Sequence, residues 1–244
     1  MMAMRYLGTF LIFAGIVLAW QMLHLIGGET ALASPSATAV KLAVLLRSDI
    51  FWGHVAETAK AFTFALALGI LGGVSLGVAL GLSRLSAVVA GPILVNLYSI
   101  PKVTLYPLVL LCFGLGLAAK VAFGVMHGMI PMTIFTMNAI RQMKPVLLRS
   151  SKIMRLTPWQ TASTIVLPAV MPEVLSGIRL GFSLTLLGVL IGEMFASKRG
   201  LGFLVTNAMN LGDTETIMAV AVLLTAFAVT ANGLLISLGS SRRR

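Results

Sequence analysis

The sequence predicts an all-α, polytopic transmembrane helical bundle of about six spans. Three observations carry that prediction. Of 244 residues, 58% are hydrophobic and only 10% charged, too little polar surface to clothe a water-soluble globule of this size. Apolar runs close to the roughly 20 residues that a helix needs to cross hydrocarbon recur along the whole length. The formal charge of +11 would suggest nucleic acid in a soluble domain, yet the Lys and Arg residues sit mostly between or beside the apolar runs, as in membrane proteins.

The first span is read from Tyr6 to Ile26. Arg5, the apolar core and Ala31-Leu32-Ala33 imitate a secretory signal with its cleavage site. The run nevertheless exceeds the roughly 7 to 15 residues of a signal core, so an uncleaved helix is expected. Thr38 to Lys60 interleaves Val40, Leu42, Val44, Leu45, Phe51 and Trp52 with Lys41, Arg47, Asp49 and Glu57, the pattern of an amphipathic element on the outer surface. The second span, Ala61 to Leu82, carries Gly69, Gly73, Gly77 and Gly81 at every fourth position, a helix face that admits a neighbouring backbone. The third, from about Ala87 to Leu115, is interrupted by Pro101 and Pro107, which remove backbone donors and break helices.

Val121 to Ile140 forms the fourth span. Lys144 to Met171 is too polar to cross and long enough to hold helical structure of its own. The fifth span, Val174 to Phe195, repeats the glycine device at Gly177 and Gly181, then at Gly188 and Gly192. The sixth runs from Ile217 to Leu238.

An even number of spans puts both termini on one side, and Arg5 with Arg242, Arg243 and Arg244 marks that side as cytoplasmic. Arg84, Arg141, Lys144, Arg149, Lys152 and Arg155 fall there too, which makes ten basic residues inside. Lys41, Arg47, Lys60, Lys120, Lys198 and Arg199 make six outside. Glu29, Asp49, Glu57, Asp213 and Glu215 are external, and Glu173 is internal.

Several functions are excluded by what the sequence lacks. Cys112 is the single cysteine, so neither an intrachain disulfide nor a thiolate metal cluster can form. No Gly-rich Lys-Ser/Thr phosphate loop, His/carboxylate cluster or serine dyad motif is present, so no catalytic residue, metal site or cofactor is expected on this chain. Energy for any transport must come from a partner.

Ionisable groups and breaks inside spans are the candidates for action. Lys102 could draw an anion along a central path, or snorkel to the interface if the span begins near Val103. Pro101 and Pro107 could line a pathway or simply kink the helix. His127, between Gly124 and Gly128, is read more simply as a neutral imidazole hydrogen-bonded across a helix contact. Asn138 is a similar case, Glu193 reads as an interfacial carboxylate, and Arg179 is expected to snorkel or to pair with Glu173.

The cytoplasmic segment reads Arg149-Ser-Ser-Lys-Ile-Met-Arg155-Leu-Thr-Pro-Trp159-Gln160, then Thr161 to Val166 and Leu167-Pro168. It resembles the EAA loop of ABC-importer permeases: Glu-Ala-Ala, three residues, Gly, nine residues, an Ile-like residue, any residue, Leu-Pro. Aligned on Ile165, Leu167 and Pro168, the small pair falls on Ser150 and Ser151. Trp159-Gln160 falls where the nitrate/sulfonate/taurine branch often has Trp-Gln. Two positions depart, with Arg149 in place of Glu and Arg155 in place of Gly. Tyr98-Ser-Ile-Pro101-Lys102-Val-Thr-Leu-Tyr-Pro107-Leu108, followed by Phe113-Gly114-Leu-Gly116 and Lys120, is similar to that branch's third span. Gly177-Ile-Arg179-Leu, Ile191-Gly-Glu193-Met194 and Gly200-Leu-Gly202 are similar to its fifth span and the following loop.

The resemblance implies a type I (MetI-like) importer permease in the bacterial inner membrane, with 1–244 as one transmembrane domain and 144–171 as the coupling loop. It implies that Arg149, Ser150, Ser151, Arg155, Leu156, Thr157, Pro158, Trp159 and Gln160 dock as a coupling helix on a cytoplasmic ATPase dimer, which binds ATP and Mg. It further implies a second permease copy or paralogue, and a periplasmic or lipid-anchored binding protein that delivers a small, often anionic solute. Tyr98 and Met194 then join Pro101, Lys102, Pro107, His127, Asn138 and Glu193 as the expected lining of the path. Arg in place of Glu inverts the charge of the ATPase contact, which points to a dedicated ATPase or to a heterodimer whose other permease has the intact motif. A reading from another class is a stand-alone secondary transporter or channel that uses Lys102, His127 and Glu193 as ion or proton sites.

Overall fold

Apolar sequence with few breakers propagates as helix, because in hydrocarbon a helix satisfies its own backbone polar groups. A computed structural model describes residues 2–240, and these contain helices and short connections with no strand. Arg242, Arg243 and Arg244 lie outside the described residues, as do the side chains of Arg5 and Pro158. The helices are α1 (Met2–Gly27), α2 (Pro35–Leu46), α3 (Asp49–Gly81), α4 (Arg84–Ser99), α5 (Tyr106–Phe113), α6 (Leu117–Arg141), α7 (Pro145–Ile153), α8 (Pro158–Thr161), α9 (Leu167–Ala196), α10 (Leu201–Leu211) and α11 (Thr214–Ser240). A 3-10 turn, Lys102–Leu105, joins α4 to α5, and a π-helical turn, Ala162–Val166, joins α8 to α9.

Among the described residues, α3, α6, α11 and the continuous helix Trp159–Phe195 are long and apolar enough to cross a membrane. The α4–α5 pair is a fifth candidate, bent by 85°. In α1 the stretch Leu11–Gly27 is apolar, and its end is tied down by Trp20 Nε1, which donates to the Ala33 carbonyl at 3.0 Å.

Two expectations are corrected and one is sharpened. Thr38 to Lys60 is not one surface element: α2 takes its first part, and residues 49–60 are the first turns of a 33-residue helix, about 50 Å long at 1.5 Å per residue. No proline interrupts that stretch, and Glu57 finds a cationic partner in Lys120 at 4.0 Å. The third span is interrupted at Pro101 as expected, and the break is a sharp elbow at Ile100–Pro101, because Pro101 cannot donate and forces the preceding residue out of helical geometry. The fifth span begins inside the expected loop, where Pro168 fits the first turn of α9 and the π-helical turn before it absorbs the missing donor.

The centre of the bundle is α6 held between glycine faces of α3 and α9. A Cβ on Gly73 would stand 2.7 Å from Met132 Cβ and 2.9 Å from the Met129 carbonyl. One on Gly188 would stand 2.9 Å from both the Phe123 carbonyl and His127 Nδ1. Lipid supplies no hydrophobic drive between helices, so this close backbone approach supplies the contact energy instead. Around the centre, α11 is held to α9 by Asn232 Nδ2, which donates to Ser183 Oγ at 3.1 Å. Many large apolar side chains of α1, α3 and α4 face outward, whereas Phe51 and Phe62 of α3 are buried in the core.

Charges segregate to the two ends. At one end the last glycine of α3, Gly81, lies against Ile140 near the end of α6, which places Arg84, Arg141, Lys144 and Glu173 together. The opposite end carries Lys41, Glu57, Lys120, Glu193 and Asp213. These are called below the Glu173 end and the Glu193 end.

Candidate functional site

Glu193 stands in the last turns of α9 and is fully buried. A carboxylate there needs donors from every side. Its Oε2 accepts from Thr58 Oγ1 of α3 at 2.8 Å and from the Gly202 backbone N–H at 3.0 Å, and its Oε1 lies 3.6 Å from Lys120 Nζ of α6. Lys120, only 4% exposed, also donates to the Arg199 carbonyl at 3.0 Å. The Thr58 hydroxyl in turn accepts from the Leu201 N–H at 2.8 Å. Glu193 and Thr58 therefore cap the first N–H groups of α10, where the helix dipole favours negative charge.

Gly200 closes the cluster. Its φ of +122° and its position directly over the Glu193 carboxylate leave no room for a side chain, and its N–H donates to His54 Nδ1 at 3.1 Å. That bond requires His54 Nδ1 to be unprotonated. Tyr106 adds a further tie, donating to the Gly192 carbonyl at 2.6 Å while its ring meets Phe123 edge to face. Thus α3, α5, α6, α9 and α10 are fastened at one level, and Glu193 is a structural keystone rather than the interfacial carboxylate expected. Thr58, Gly200 and Tyr106 give no such signal in the sequence, since their partners lie 135, 7 and 86 residues away or depend on a loop conformation.

The remaining path candidates do not converge on Glu193. Tyr98, Pro101 and Lys102 form the α4–α5 elbow, where Lys102 Nζ donates to the Tyr98 carbonyl at 3.0 Å and lies 4.8 Å above the Tyr98 ring. The ammonium thereby satisfies an orphan carbonyl at the end of α4. Pro107 opens α5 on its exposed side, and Met194 is half-buried beside Glu193. The glycines of the Phe113–Gly116 turn both have positive φ, +70° and +120°, which explains their place between α5 and α6. His127 is buried and donates from Nδ1 to the Phe123 carbonyl at 2.9 Å, a bond within its own helix rather than across a helix contact as expected. Asn138 lies toward the Glu173 end, on the wall of a cleft of about 630 Å³. Arg179 forms no ion pair with Glu173, and its buried Nε has no hydrogen-bond partner among the described residues.

The connection from α6 to α9 is built of α7, a turn and α8. Arg149 and Ser150 are exposed on α7 and Ser151 is buried. Arg155 has φ +50°, a left-handed conformation that costs a non-glycine residue about 1–2 kcal/mol. The matching position of the EAA pattern is Gly, the residue type that adopts such a φ without that cost. Half-buried Leu156 and exposed Thr157 follow. Thr157 and Gln160 then form a reciprocal capping box: the Gln160 side chain accepts from Thr157 N–H at 2.9 Å, and Thr157 Oγ1 accepts from Gln160 N–H at 3.3 Å. This turn presents Ile153, Met154 and Trp159 outward, 82%, 66% and 79% exposed.

Residues 69–240 match the family model described as binding-protein-dependent transport system inner membrane component. Two relatives carry provisional names. An ABC transporter permease protein of Haemophilus influenzae is 28% identical over 228 residues, 93% of each chain. The aliphatic sulfonates transport permease protein SsuC of Bacillus subtilis is 26% identical over 84% of this chain and 75% of its own. Among solved structures, a chain of the inward-facing MetNI methionine ABC transporter superposes with a TM-score of 0.64 at 19% identity, covering 78% of this chain and 95% of that one. That likeness concerns the fold.

Proposed function

This chain belongs to the family of binding-protein-dependent transport system inner membrane components, and from that premise we propose that the α6–α9 connection is where a cytoplasmic ATPase drives it. The chain is the permease component of an ABC importer, a membrane-embedded transport subunit and not an enzyme, working with a separate ATPase and a substrate-binding protein. The alternative of a stand-alone secondary transporter or channel falls with that membership.

The observation that carries the docking reading is the exposed apolar turn Ile153, Met154 and Trp159, held in shape by the Thr157–Gln160 capping box. An apolar patch on a water-facing end marks an interaction surface. Arg149 and Arg155 flank it, so the matching ATPase groove is acidic. ATP and Mg bind on that ATPase, not here. Two permeases, a second copy or a paralogue, enclose the path. The excess of Lys and Arg at the Glu173 end supports a cytoplasmic placement for that end and for both termini. The binding protein then meets the Glu193 end. The solute is a small anionic or organic molecule, a reading supported by the sulfonate name of one relative.

Co-purification of the cognate ATPase tests the proposal. R149E should reduce recovery at least several-fold with membrane insertion intact. R155G removes charge but suits φ +50°, so it should keep the fold and weaken recovery less than R155E. Unchanged recovery with both charge reversals refutes the docking surface.

A further inference from the structure

The cleft of about 630 Å³ at the Glu173 end is within the size range of small-molecule sites, and although Asn138 was expected on the path and Lys144 opens the coupling loop, the permease reading assigns no ligand to it. It lies between α6, the start of α7 and the start of α9. Asn138 of α6 and Gln142, the residue that caps the end of that helix, both line it. Lys144, just past the end of α6, and Glu173, in the second turn of α9, supply one charge of each sign. Phe135 and Leu147 provide apolar wall.

The four polar side chains have their capacity unspent. Among the described residues, none of Asn138, Gln142, Lys144 or Glu173 forms a side-chain hydrogen bond or ion pair within the chain, although Lys144 and Glu173 line the same space. Opposite charges that face one cavity without touching leave room for a ligand bearing the complementary pair. We propose that this cleft binds a small zwitterion, its anionic group on Lys144 and the two amides, its ammonium on Glu173, and a short alkyl spacer against Phe135 and Leu147. Leu147 belongs to α7, whereas Asn138 and Glu173 belong to the bundle. A bound zwitterion therefore braces the connecting segment against the bundle, and any partner that repositions α7 must alter the ligand's affinity by the reciprocal factor.

The test is direct binding to the purified full chain in detergent, without an ATPase, so that its failure leaves the docking result above untouched. The probes are 3-aminopropanoate, propanoate and propylammonium, followed by calorimetry. The zwitterion should bind at least tenfold more tightly than either singly charged probe. E173Q should lower zwitterion affinity to that of propanoate while leaving propanoate binding unchanged, and K144Q should do the same relative to propylammonium. Equal affinity of the unaltered chain for all three probes overturns the assignment. So does an E173Q protein that elutes as folded material and keeps the original preference.

Discussion

Replacing Glu193 with Ala removes the acceptor on which four helices converge. Gly202 N–H and the Thr58 hydroxyl lose their partner at 3.0 and 2.8 Å, and Lys120, 4% exposed, loses a carboxylate at 3.6 Å. Breaking one side of a buried ion pair costs about 3–5 kcal/mol. Lys120 keeps the Arg199 carbonyl at 3.0 Å and Glu57 at 4.0 Å, which places the loss near the lower end, about 3 kcal/mol. E193Q still accepts from Thr58 and Gly202 and loses only the charge, so it should cost less, about 2 kcal/mol. For a chain of this size each kcal/mol moves Tm by roughly 2–4 °C, so E193A should lower it by about 9 °C. The assay is thermal unfolding of the detergent-solubilised chain, run as a cycle with K120M. K120M added to E193A should cost much less than K120M alone, because the charge stranded by the first substitution is removed by the second. A shift for E193A below about 3 °C, or additive effects, would refute the keystone role.

Two further outcomes use the same measurement. G73A places a Cβ 2.7 Å from Met132 Cβ and 2.9 Å from a backbone carbonyl, so it should destabilise by about 1–3 kcal/mol, whereas G53A, with open space around it, should stabilise by about 0.5–1 kcal/mol; effects of the same sign would contradict the packed centre. Burial works to raise the pKa of Asp213, but hydrogen bonds from Thr216 and the Lys41 ammonium at 3.0 Å outweigh it and hold the carboxyl below the usual range. Since the folded value lies below the unfolded one of about 3.9, this stabilisation is present at neutral pH and lost as pH falls through the folded value. D213N keeps an N-cap side chain and removes the charge, so it should lower Tm by about 1 kcal/mol equivalent or less at pH 7. The gap from the unaltered protein should begin to narrow below about pH 4 and close as pH falls through the folded value, and a gap that does not narrow on acidification would count against it.

Where local chemistry dictates the answer, the sequence is legible. Hydropathy and length place helices over all six expected spans, because a chain in lipid has few other ways to satisfy its backbone. The period-four glycines predict a close backbone contact, and the residues of the EAA-like segment predict the family. The positive φ of Arg155 is one that favours Gly, the residue type the motif has at that position.

Tertiary structure alone decided the rest. Hydropathy cannot distinguish a kink from an 85° elbow, since both start from the same two prolines and the neighbours set the angle. Sequence pattern read residues 49–60 as surface because Phe51 and Trp52 are interleaved with Asp49 and Glu57, and only the fold brings Lys120 to Glu57. Glu193 carries the same lesson. A lone carboxylate near a helix end has many readings, and its meaning arose when Thr58, Lys120 and Gly202, distant in sequence, came within 2.8 to 3.6 Å of it. Apolar pattern is a property of each segment, whereas satisfying a buried charge depends on which segments meet.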